Sequence, residues 1–359
     1  MPATVDIRPL TDPDELEAVV DLEIAVWGVS PRDAAPMNVM RPITQYGGVV
    51  LGAYDGERLV GMALGMPLRC QGQWLLWSHS TGVHPQYQSQ SIGFQLKLAQ
   101  RDWALLNGYT EIRWTFDPLR RGNAHFNLHV LGATTDKYHV AHYGLMSDDI
   151  NRGDISDRVE ARWKLKSPRV KALAECRLPK PRKDPFATGV VALGADPNLQ
   201  PIISSSPASA PTLLAAVPRH LHQVDKRVWR YALRNTLQPA LEQGYIAIDF
   251  IDEQDIGWYI LEAPPVWYLY VLRCADSSLY TGITPDLRAR VERHQSGKGA
   301  TYTATRRPVE LLGAWKFSGK GEALKAEHAF KAQTRATKLS RVLKREPFRG
   351  ANFVSLDEP

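Results

Sequence analysis

Five polar side chains toward the end of the chain have the types and spacing that phosphodiester chemistry needs. They are Tyr270, Tyr280, Arg290, His294 and Glu327. Arg290 and His294 are four residues apart, so they share one face of a helix. A guanidinium can neutralise a phosphate, a carboxylate can bind a divalent cation, and tyrosine or histidine can orient or deprotonate water. The pattern therefore predicts a site for phosphodiester cleavage.

Short elements are predicted to position these side chains. Two β-type runs at residues 268–273 and 279–283 flank a polar A-D-S-S turn, which predicts a hairpin. A helix follows, and Thr284 is predicted to be its N-cap residue. A second helix at residues 322–333 carries Glu327. The candidate residues thus converge on a platform of two strands and two helices.

The same stretch resembles a known nuclease family. Residues 268–270, Y-L-Y, and 280–282, Y-T-G, stand where GIY-YIG nucleases carry their two short motifs. Arg290, ten residues after Tyr280, matches the catalytic arginine of that family, and Glu327 matches its metal-binding glutamate. The match covers residues 266–349, and the sequences L-Y-T-G-I-T and H-x-S-G-K-G-A are similar to those of its small single-domain bacterial members. Unlike many site-specific members, the chain has no clear asparagine after the glutamate helix.

The resemblance implies a mechanism. One Mg²⁺ or Mn²⁺ is expected on Glu327, and the expected substrate is DNA. Tyr280 would position or deprotonate the attacking water, and Arg290 would neutralise charge on the phosphate. Tyr270 and His294 would form hydrogen bonds around the nucleophile. The alternative is that Tyr270 and Tyr280 have only a structural role in the strands. Their match to the family spacing with Arg290 and Glu327 would then be a coincidence.

Charge is distributed unevenly along the chain. From residue 266 onward there are 17 Lys and Arg against 9 Asp and Glu, a net charge of +8. The preceding residues hold 27 basic and 29 acidic side chains, a net charge of −2. This asymmetry favours a polyanionic partner for the C-terminal part alone. For residues 331–349, a solvated basic helix face is an equally good interpretation.

A second candidate site lies in the N-terminal half. Residues 83–85, V-H-P, and 88–93, Q-S-Q-S-I-G, lie between a predicted strand and a predicted amphipathic helix. Residues 3–166 resemble the GNAT N-acetyltransferases, in which backbone N–H groups of this loop bind the pyrophosphate of coenzyme A. Ser91 replaces the first glycine of the family motif. The resemblance implies that acetyl-CoA or CoA binds at Val83, Gln88, Ser89, Gln90, Ser91, Ile92 and Gly93.

The catalytic residues of GNAT enzymes do not transfer to this sequence. The fourth predicted strand reads L-W-S-H-S-T-G and has no carboxylate to act as a base. Four side chains remain candidates for proton transfer, although a structural role is favoured for each: His79, His129, Tyr138 and Tyr143. Asp117 precedes a proline and is interpreted as a turn cap rather than a substrate contact.

These patterns predict an α/β (α+β) chain with several parts. A GNAT-like mixed sheet with flanking helices is expected at residues 1–166, followed by a linker and an α/β extension of that domain at 167–262. A small GIY-YIG domain with a short antiparallel sheet is expected at 266–349, and a tail at 350–359. The absence of a signal sequence, of a long apolar run and of paired cysteine spacing predicts a cytoplasmic protein without a membrane partner.

The sequence supports one preferred function and two alternatives. The preferred function is metal-dependent DNA cleavage by the C-terminal domain, fused to a GNAT-like domain. One alternative is an acyl-CoA-dependent N-acetyltransferase whose C-terminal domain binds nucleic acid. The other is a CoA-responsive nucleic-acid binder in which neither half is catalytic. Tyr280, Arg290 and Glu327 argue against an inert C-terminal domain, while Ser91 and the missing carboxylate argue against acetyl transfer as the main activity.

Overall fold

The chain separates into two compact units. The computed structural model describes residues 5–144, 154–177, 179, 184–204 and 210–354. Unit 1 is Met1–Ala263 and unit 2 is Pro264–Pro359. Part of the linker and extension predicted at 167–262, namely residues 178, 180–183 and 205–209, lies outside the described residues. Each unit combines helices with its own sheet, which confirms the predicted mixed α/β class.

Unit 1 has one large mixed sheet with helices on it. Its strands are β1 Asp6–Pro9, β2 Val49–Asp55, β3 Arg58–Cys70, β4 Gln73–Val83, β5 Glu111–Phe116, β6 Thr134–His139, β7 Arg158–Lys164, β8 Val190–Ala195, β9 Pro201–Ile203, β10 Thr212–Pro218, β11 Ile246–Asp252 and β12 Ile256–Glu262. Its α-helices are α1 Pro13–Trp27, α2 Met37–Gln45, α3 Ile92–Leu106, α4 Arg121–Ala124, α5 Pro168–Ala174, α6 Pro185–Thr188 and α7 Lys226–Glu242. A π-helical segment, His125–Val130, continues α4.

The sheet of unit 1 repeats part of its own topology. The strand order is β1-β2-β3-β4-β5-β7-β6-β11-β12-β10-β8-β9. The neighbours β4-β5-β7-β6 in the first half correspond to β8-β10-β12-β11 in the second, with the same parallel and antiparallel pairings. The two halves meet where β6 pairs with β11. The residues after 184 thus extend the first sheet rather than building a separate one.

Buried ion pairs join the two halves of unit 1. Asp117, after β5, accepts two 2.9 Å hydrogen bonds from the Arg230 guanidinium on α7. Its Oδ1 also accepts the backbone N–H of Leu119 at 2.9 Å, which confirms the predicted turn cap. Arg234, one turn later on α7, binds Asp157 in the same bidentate way at 2.8 Å. Such geometry fixes the helix across the junction.

Unit 2 is a four-stranded antiparallel sheet with helices on both faces. Its strands are β13 Trp267–Cys274, β14 Leu279–Thr284, β15 Val309–Phe317 and β16 Phe353–Val354, in the order β14-β13-β15-β16. Its helices are α8 Leu287–Gln295, α9 Thr301–Ala304, α10 Lys320–Lys331 and α11 Arg335–Leu343. One sheet face packs Leu269, Val271 and Trp315 against Phe330 of α10. The other face carries Tyr270 and Leu272 toward Leu287 of α8.

The N-cap predicted for the helix after the hairpin is wrong. Thr284 pairs with Tyr268 as the last residue of β14 and is therefore not available as a cap. The N-cap of α8 is Asp286, whose Oδ1 accepts the backbone N–H of Ala289 at 3.0 Å. Pro285 lies before the cap.

No helix within the described ranges is long and apolar enough to cross a bilayer.

Candidate functional sites

The hairpin of unit 2 places the first candidate side chains. Tyr270 and Gly282 are opposite one another on β13 and β14. A Cβ at Gly282 would lie 2.6 Å from the hydroxyl oxygen of Tyr270, so only glycine leaves room for that ring. The tyrosine ring is fully buried and turns its hydroxyl toward α8. The Y-T-G sequence therefore provides the space that the buried tyrosine occupies.

A chain of hydrogen bonds runs through the buried part of this site. Arg290 donates from Nε to the Tyr270 hydroxyl at 3.0 Å, and that hydroxyl lies 2.9 Å from His294 Nε2. His294 Nδ1 lies 2.6 Å from the hydroxyl of Thr303, which donates to the Ala300 carbonyl at 2.9 Å. Because the Thr303 proton is used, His294 Nδ1 carries the proton and Nε2 accepts from Tyr270. The network thus fixes the orientation of the Arg290 guanidinium.

Electrostatics keep the buried groups of this network in defined protonation states. Burial raises the pKa of Tyr270 to about 12, although its hydrogen bond from Arg290 acts in the opposite direction. Burial lowers the pKa of His294 to about 4, and repulsion by Arg290 and Arg293 adds to the effect. Both side chains are therefore neutral at pH 7. The hydrogen bond to Tyr270 is the main cause that raises the pKa of Arg290, so the cluster holds one fixed positive charge.

The accessible side of the site carries Arg290 and two stacked tyrosines. Tyr280 is half-buried, and its ring lies 5.1 Å from the His294 ring between centroids. Tyr302 on α9 stacks on Tyr280 at 6.1 Å and is 43% exposed. Arg306 lies 4.2 Å above the Tyr302 ring. This side therefore offers aromatic and cationic surface beside the fixed guanidinium.

The predicted metal ligand lies on α10, which packs against the hairpin strands. Glu327 is half-buried, and its Oε1 accepts a 2.8 Å hydrogen bond from Lys331 one turn later. Its negative charge contributes to the raised pKa of Tyr270, so the carboxylate lies within electrostatic reach of the buried network. The described residues contain no group of three or more His, Cys, Asp or Glu side chains that could hold a metal. A single carboxylate still suits Mg²⁺, which commonly keeps several waters and binds substrate phosphate as well.

Two residues of the site were missed by sequence reasoning. Thr303 fixes the tautomer of His294, and Tyr302 extends the aromatic surface. Both lie on the short helix α9, which no periodic pattern in the sequence predicted. The available signal was Gly299, where a Cβ would lie 2.4 Å from His294 Nδ1. That glycine indicates that the chain passes directly over the imidazole.

In unit 1, the predicted cofactor loop lies between β4 and the N-terminus of α3. Ser89 and Ser91 have φ values of 64° and 63°, a conformation that favours glycine. Ser91 is the N-cap residue of α3 and makes no side-chain capping bond. A Cβ at Gly93 would meet only Val83, at 3.9 Å. The loop thus leaves space at the positive end of a 15-residue helix, which suits an anion.

A slot continues from this loop along the sheet. The parallel strands β4 and β5 pair only at Leu76–Ile112 and Trp77–Arg113 among the described residues, and the unpaired stretch between them beyond these positions is called the slot here. The β4 edge from Ser78 to Val83 has no strand partner on that side in the part of the chain that the structure describes. Thr81 Oγ1 is buried there without a hydrogen-bond partner among described atoms. An extended ligand with amide groups can form hydrogen bonds with such an edge. The pantetheine arm of coenzyme A is a ligand of this kind.

The proton-transfer candidates of unit 1 do not converge on one place. Three of them have different partners within the described chain. His129 Nδ1 lies 3.0 Å from Asp249, and Tyr138 donates to Asp157 at 2.7 Å. The Tyr143 hydroxyl lies 3.0 Å from the Thr115 hydroxyl. His79 is exposed on β4. Burial and the carboxylate of Asp157 raise the pKa of Tyr138, which keeps it protonated. The structure therefore does not bring these four side chains together.

A carboxylate does reach β4, but it comes from another element. Glu23 on α1 is buried, and its Oε1 accepts the Ser80 hydroxyl at 2.8 Å. Its Oε2 accepts the backbone N–H of Ala35 at 2.7 Å. Sequence reasoning searched only the strand itself and missed this contribution from the helix. Both oxygens are engaged within the fold, which favours a structural role.

Comparison with known proteins matches both units. The model for the GIY-YIG catalytic domain matches residues 266–340, and that for the acetyltransferase (GNAT) family matches residues 16–132. A UPF0213 protein of Cupriavidus pinatubonensis is 51% identical over 74 residues, which are 21% of this chain and 82% of the relative. The UPF0213 protein YazA of Bacillus subtilis is 54% identical over 71 residues, 20% of this chain and 72% of the relative.

A solved GNAT family acetyltransferase from Elizabethkingia anophelis, with acetyl-CoA bound, is similar to 45% of this chain. The match covers 97% of that structure at 14% identity and a TM-score of 0.34. The second unit is a GIY-YIG catalytic domain, and the first contains a GNAT acetyltransferase domain. Through its second unit, the chain belongs to the UPF0213 family of GIY-YIG proteins.

Proposed function

We propose that unit 2 hydrolyses phosphodiester bonds in DNA with the help of Mg²⁺ or Mn²⁺. The observation that carries the proposal is the chain of hydrogen bonds from Arg290 through Tyr270 to His294. A guanidinium fixed in this way needs little reorganisation when charge develops on a phosphate. The net charge of +8 from residue 266 onward supports a polyanionic substrate.

The residues of the site divide the work between them. Tyr270 and His294 are fully buried, so they act by holding Arg290 rather than by touching the nucleophile. Arg290 binds the scissile phosphate. Tyr280, half-buried beside it, orients the attacking water, and as its phenolate, or through the water shell of the cation, it takes up the proton that the water loses. Glu327 would hold the divalent cation, which when bound would stabilise charge on the phosphate and leaving oxygen.

A cleavage assay tests this proposal. The purified full chain is incubated with end-labelled branched, single-stranded and duplex DNA, with Mn²⁺ or with a chelator. We expect cleavage of at least one substrate with Mn²⁺ and none with the chelator. Binding without cleavage of any of the three would favour the non-catalytic alternative and overturn the proposal.

We further propose that unit 1 binds acetyl-CoA or CoA. Three observations support this proposal. There is open space at the α3 N-terminus. On the side of the slot, the β4 edge has no strand partner and the Thr81 hydroxyl has no hydrogen-bond partner among the described residues. The residues involved would be those predicted from sequence, through the backbone of residues 88–93 and through Val83. Titration calorimetry of CoA into the chain tests this proposal. Absence of binding would leave the GNAT likeness of unit 1 as one of fold only.

A further inference from the structure

Unit 1 contains a buried lysine that has no acidic partner among the described residues. Lys97 on α3 is 4% exposed. Its ammonium donates to the Ser78 hydroxyl at 2.7 Å and to Gln100 Oε1 at 3.3 Å, and it lies 4.2 Å from the centroid of the Trp114 ring. Burial alone lowers its pKa to about 7, and no carboxylate of the described chain acts against that effect.

An ammonium in this setting is costly for the fold. Buried charges are normally paired, because the interior does not replace the solvation that water provides. Two neutral acceptors and an aromatic face compensate for only part of that loss. A buried titratable group with such a shift is more frequent at functional sites than elsewhere. The missing counter-charge therefore suggests that a ligand supplies it.

The position of the ammonium connects it with the slot between β4 and β5. Ser78 and Trp114 are the first residues after the last paired positions of the two strands, Trp77 and Arg113. Lys97 thus lies where the pairing of the two strands ends, at the inner end of the slot. The phosphate-binding loop lies at the opposite end. Val83 lies five positions after Ser78 on β4, at most about 17 Å along an extended strand, and a β-bulge between Ser78 and Ser80 shortens that span.

We propose that this slot takes an acyl-CoA whose acyl group ends in a carboxylate, and that Lys97 selects that group. The inference rests on the proposed binding of CoA by unit 1. With the pyrophosphate at the α3 N-terminus and the arm along β4, the acyl group reaches the inner end, where Lys97 lies. The ammonium and the Ser78 hydroxyl can both donate hydrogen bonds to a carboxylate. The bound carboxylate would then replace the contact of the ammonium with the Trp114 ring. An uncharged acyl group leaves the ammonium without a counter-charge.

Calorimetry with matched ligands tests this selection. The full chain is titrated with CoA, acetyl-CoA, butyryl-CoA and succinyl-CoA, the last two being four-carbon thioesters that differ in the terminal carboxylate. We expect succinyl-CoA to bind about tenfold more tightly than butyryl-CoA. Lys97→Met keeps the length and apolar contacts of the side chain and should abolish that difference. Lys171→Met, an exposed lysine on α5, should preserve it.

The possible outcomes separate this inference from the cofactor proposal. Equal binding of butyryl-CoA and succinyl-CoA by the wild-type chain overturns the role of Lys97 but leaves CoA binding standing. No binding of any of the four ligands overturns both. If Lys97→Met does not fold, Ser78→Ala takes its place, because it removes one predicted donor and should reduce the preference severalfold. An unchanged preference in Ser78→Ala, or in a folded Lys97→Met, contradicts the proposal.

Discussion

At the scale of single residues, Tyr270 is the centre of the nuclease-type site. Its hydroxyl accepts from Arg290 and donates to His294, and both partners lose a hydrogen bond when it is removed. Tyr270→Phe should lower cleavage about a hundredfold, because Arg290 is no longer held. It should also destabilise unit 2 by about 1–2 kcal/mol, since His294 Nε2 remains buried without a donor.

The matched control for this change is Tyr268→Phe, on the same strand. Tyr268 is only half-buried, and its backbone pairs with Thr284 at the edge of the site. Cleavage rates and urea denaturation of both variants are compared with the wild type. Equal losses in the two variants would mean that the network around Tyr270 has no special role.

Ser91 offers a residue-scale test in unit 1. Its φ of 63° places a Cβ in the left-handed region, which costs about 1 kcal/mol relative to glycine. Ser91→Gly should therefore raise the melting temperature of unit 1 in calorimetry. Ser167→Gly is the contrasting change, because Ser167 caps α5 with φ of −66° and its hydroxyl accepts the Val170 N–H. That variant should be neutral or slightly destabilised, and stabilisation by both would contradict the argument.

At the scale of elements, the stability of unit 2 depends on the charge of His294 on α8. Burial and nearby arginines lower its pKa to about 4 in the folded state, against about 6.5 in the unfolded chain. Between these values the unfolded chain binds a proton that the folded chain does not. Unit 2 should therefore lose about 3 kcal/mol of stability as pH falls from 6.5 to 4, and little above pH 7.

Urea denaturation of residues 264–359 at several pH values measures this effect. His294→Gln should remove most of the pH dependence in that window. His328→Gln, an exposed histidine on α10, should retain it. A wild-type fragment whose stability stays constant from pH 7 to pH 4.5 would show that His294 is not buried in its neutral form.

Much of the platform in unit 2 could be predicted from the sequence. The alternating runs that form β13 and β14, and the helix that carries Glu327, lie within a few residues of their predicted bounds. The error at Thr284 arose because threonine and aspartate are both good caps, and only pairing with β13 decides between them. The contact of Thr303 with His294 could not be predicted, because it depends on the path of the chain between α8 and α9, and that segment has no periodic sequence pattern.

In unit 1, local patterns located the loop between β4 and α3 but not the tertiary contacts around it. The helical position of Lys97 is compatible with an exposed polar face, and its burial follows from packing against β4 and β5. Glu23 likewise reaches Ser80 from a distant helix. The repeated strand order of β4-β5-β7-β6 and β8-β10-β12-β11 depends on long-range pairing, which local patterns do not predict.

At the scale of the whole molecule, the uneven charge predicts where DNA binds. Residues 264–359 alone should bind DNA with an affinity within about threefold of the full chain, because the positive excess lies there. Raising salt from about 50 to 200 mM should weaken that binding roughly tenfold or more. Residues 1–263, with a charge near −2, should bind weakly. Fluorescence anisotropy measures all three, and comparable binding by the N-terminal fragment would contradict the prediction.

We propose that this chain cleaves DNA through a metal site on Glu327. The most direct test of this proposal compares the initial cleavage rates of wild type, Glu327→Gln and Glu322→Gln at saturating Mn²⁺. Glu322 is on the same helix and binds only Ser318 among the described residues, so its variant controls for general effects on α10. We expect a loss of roughly two orders of magnitude or more for Glu327→Gln alone, with DNA binding retained. Undiminished cleavage by Glu327→Gln would contradict it.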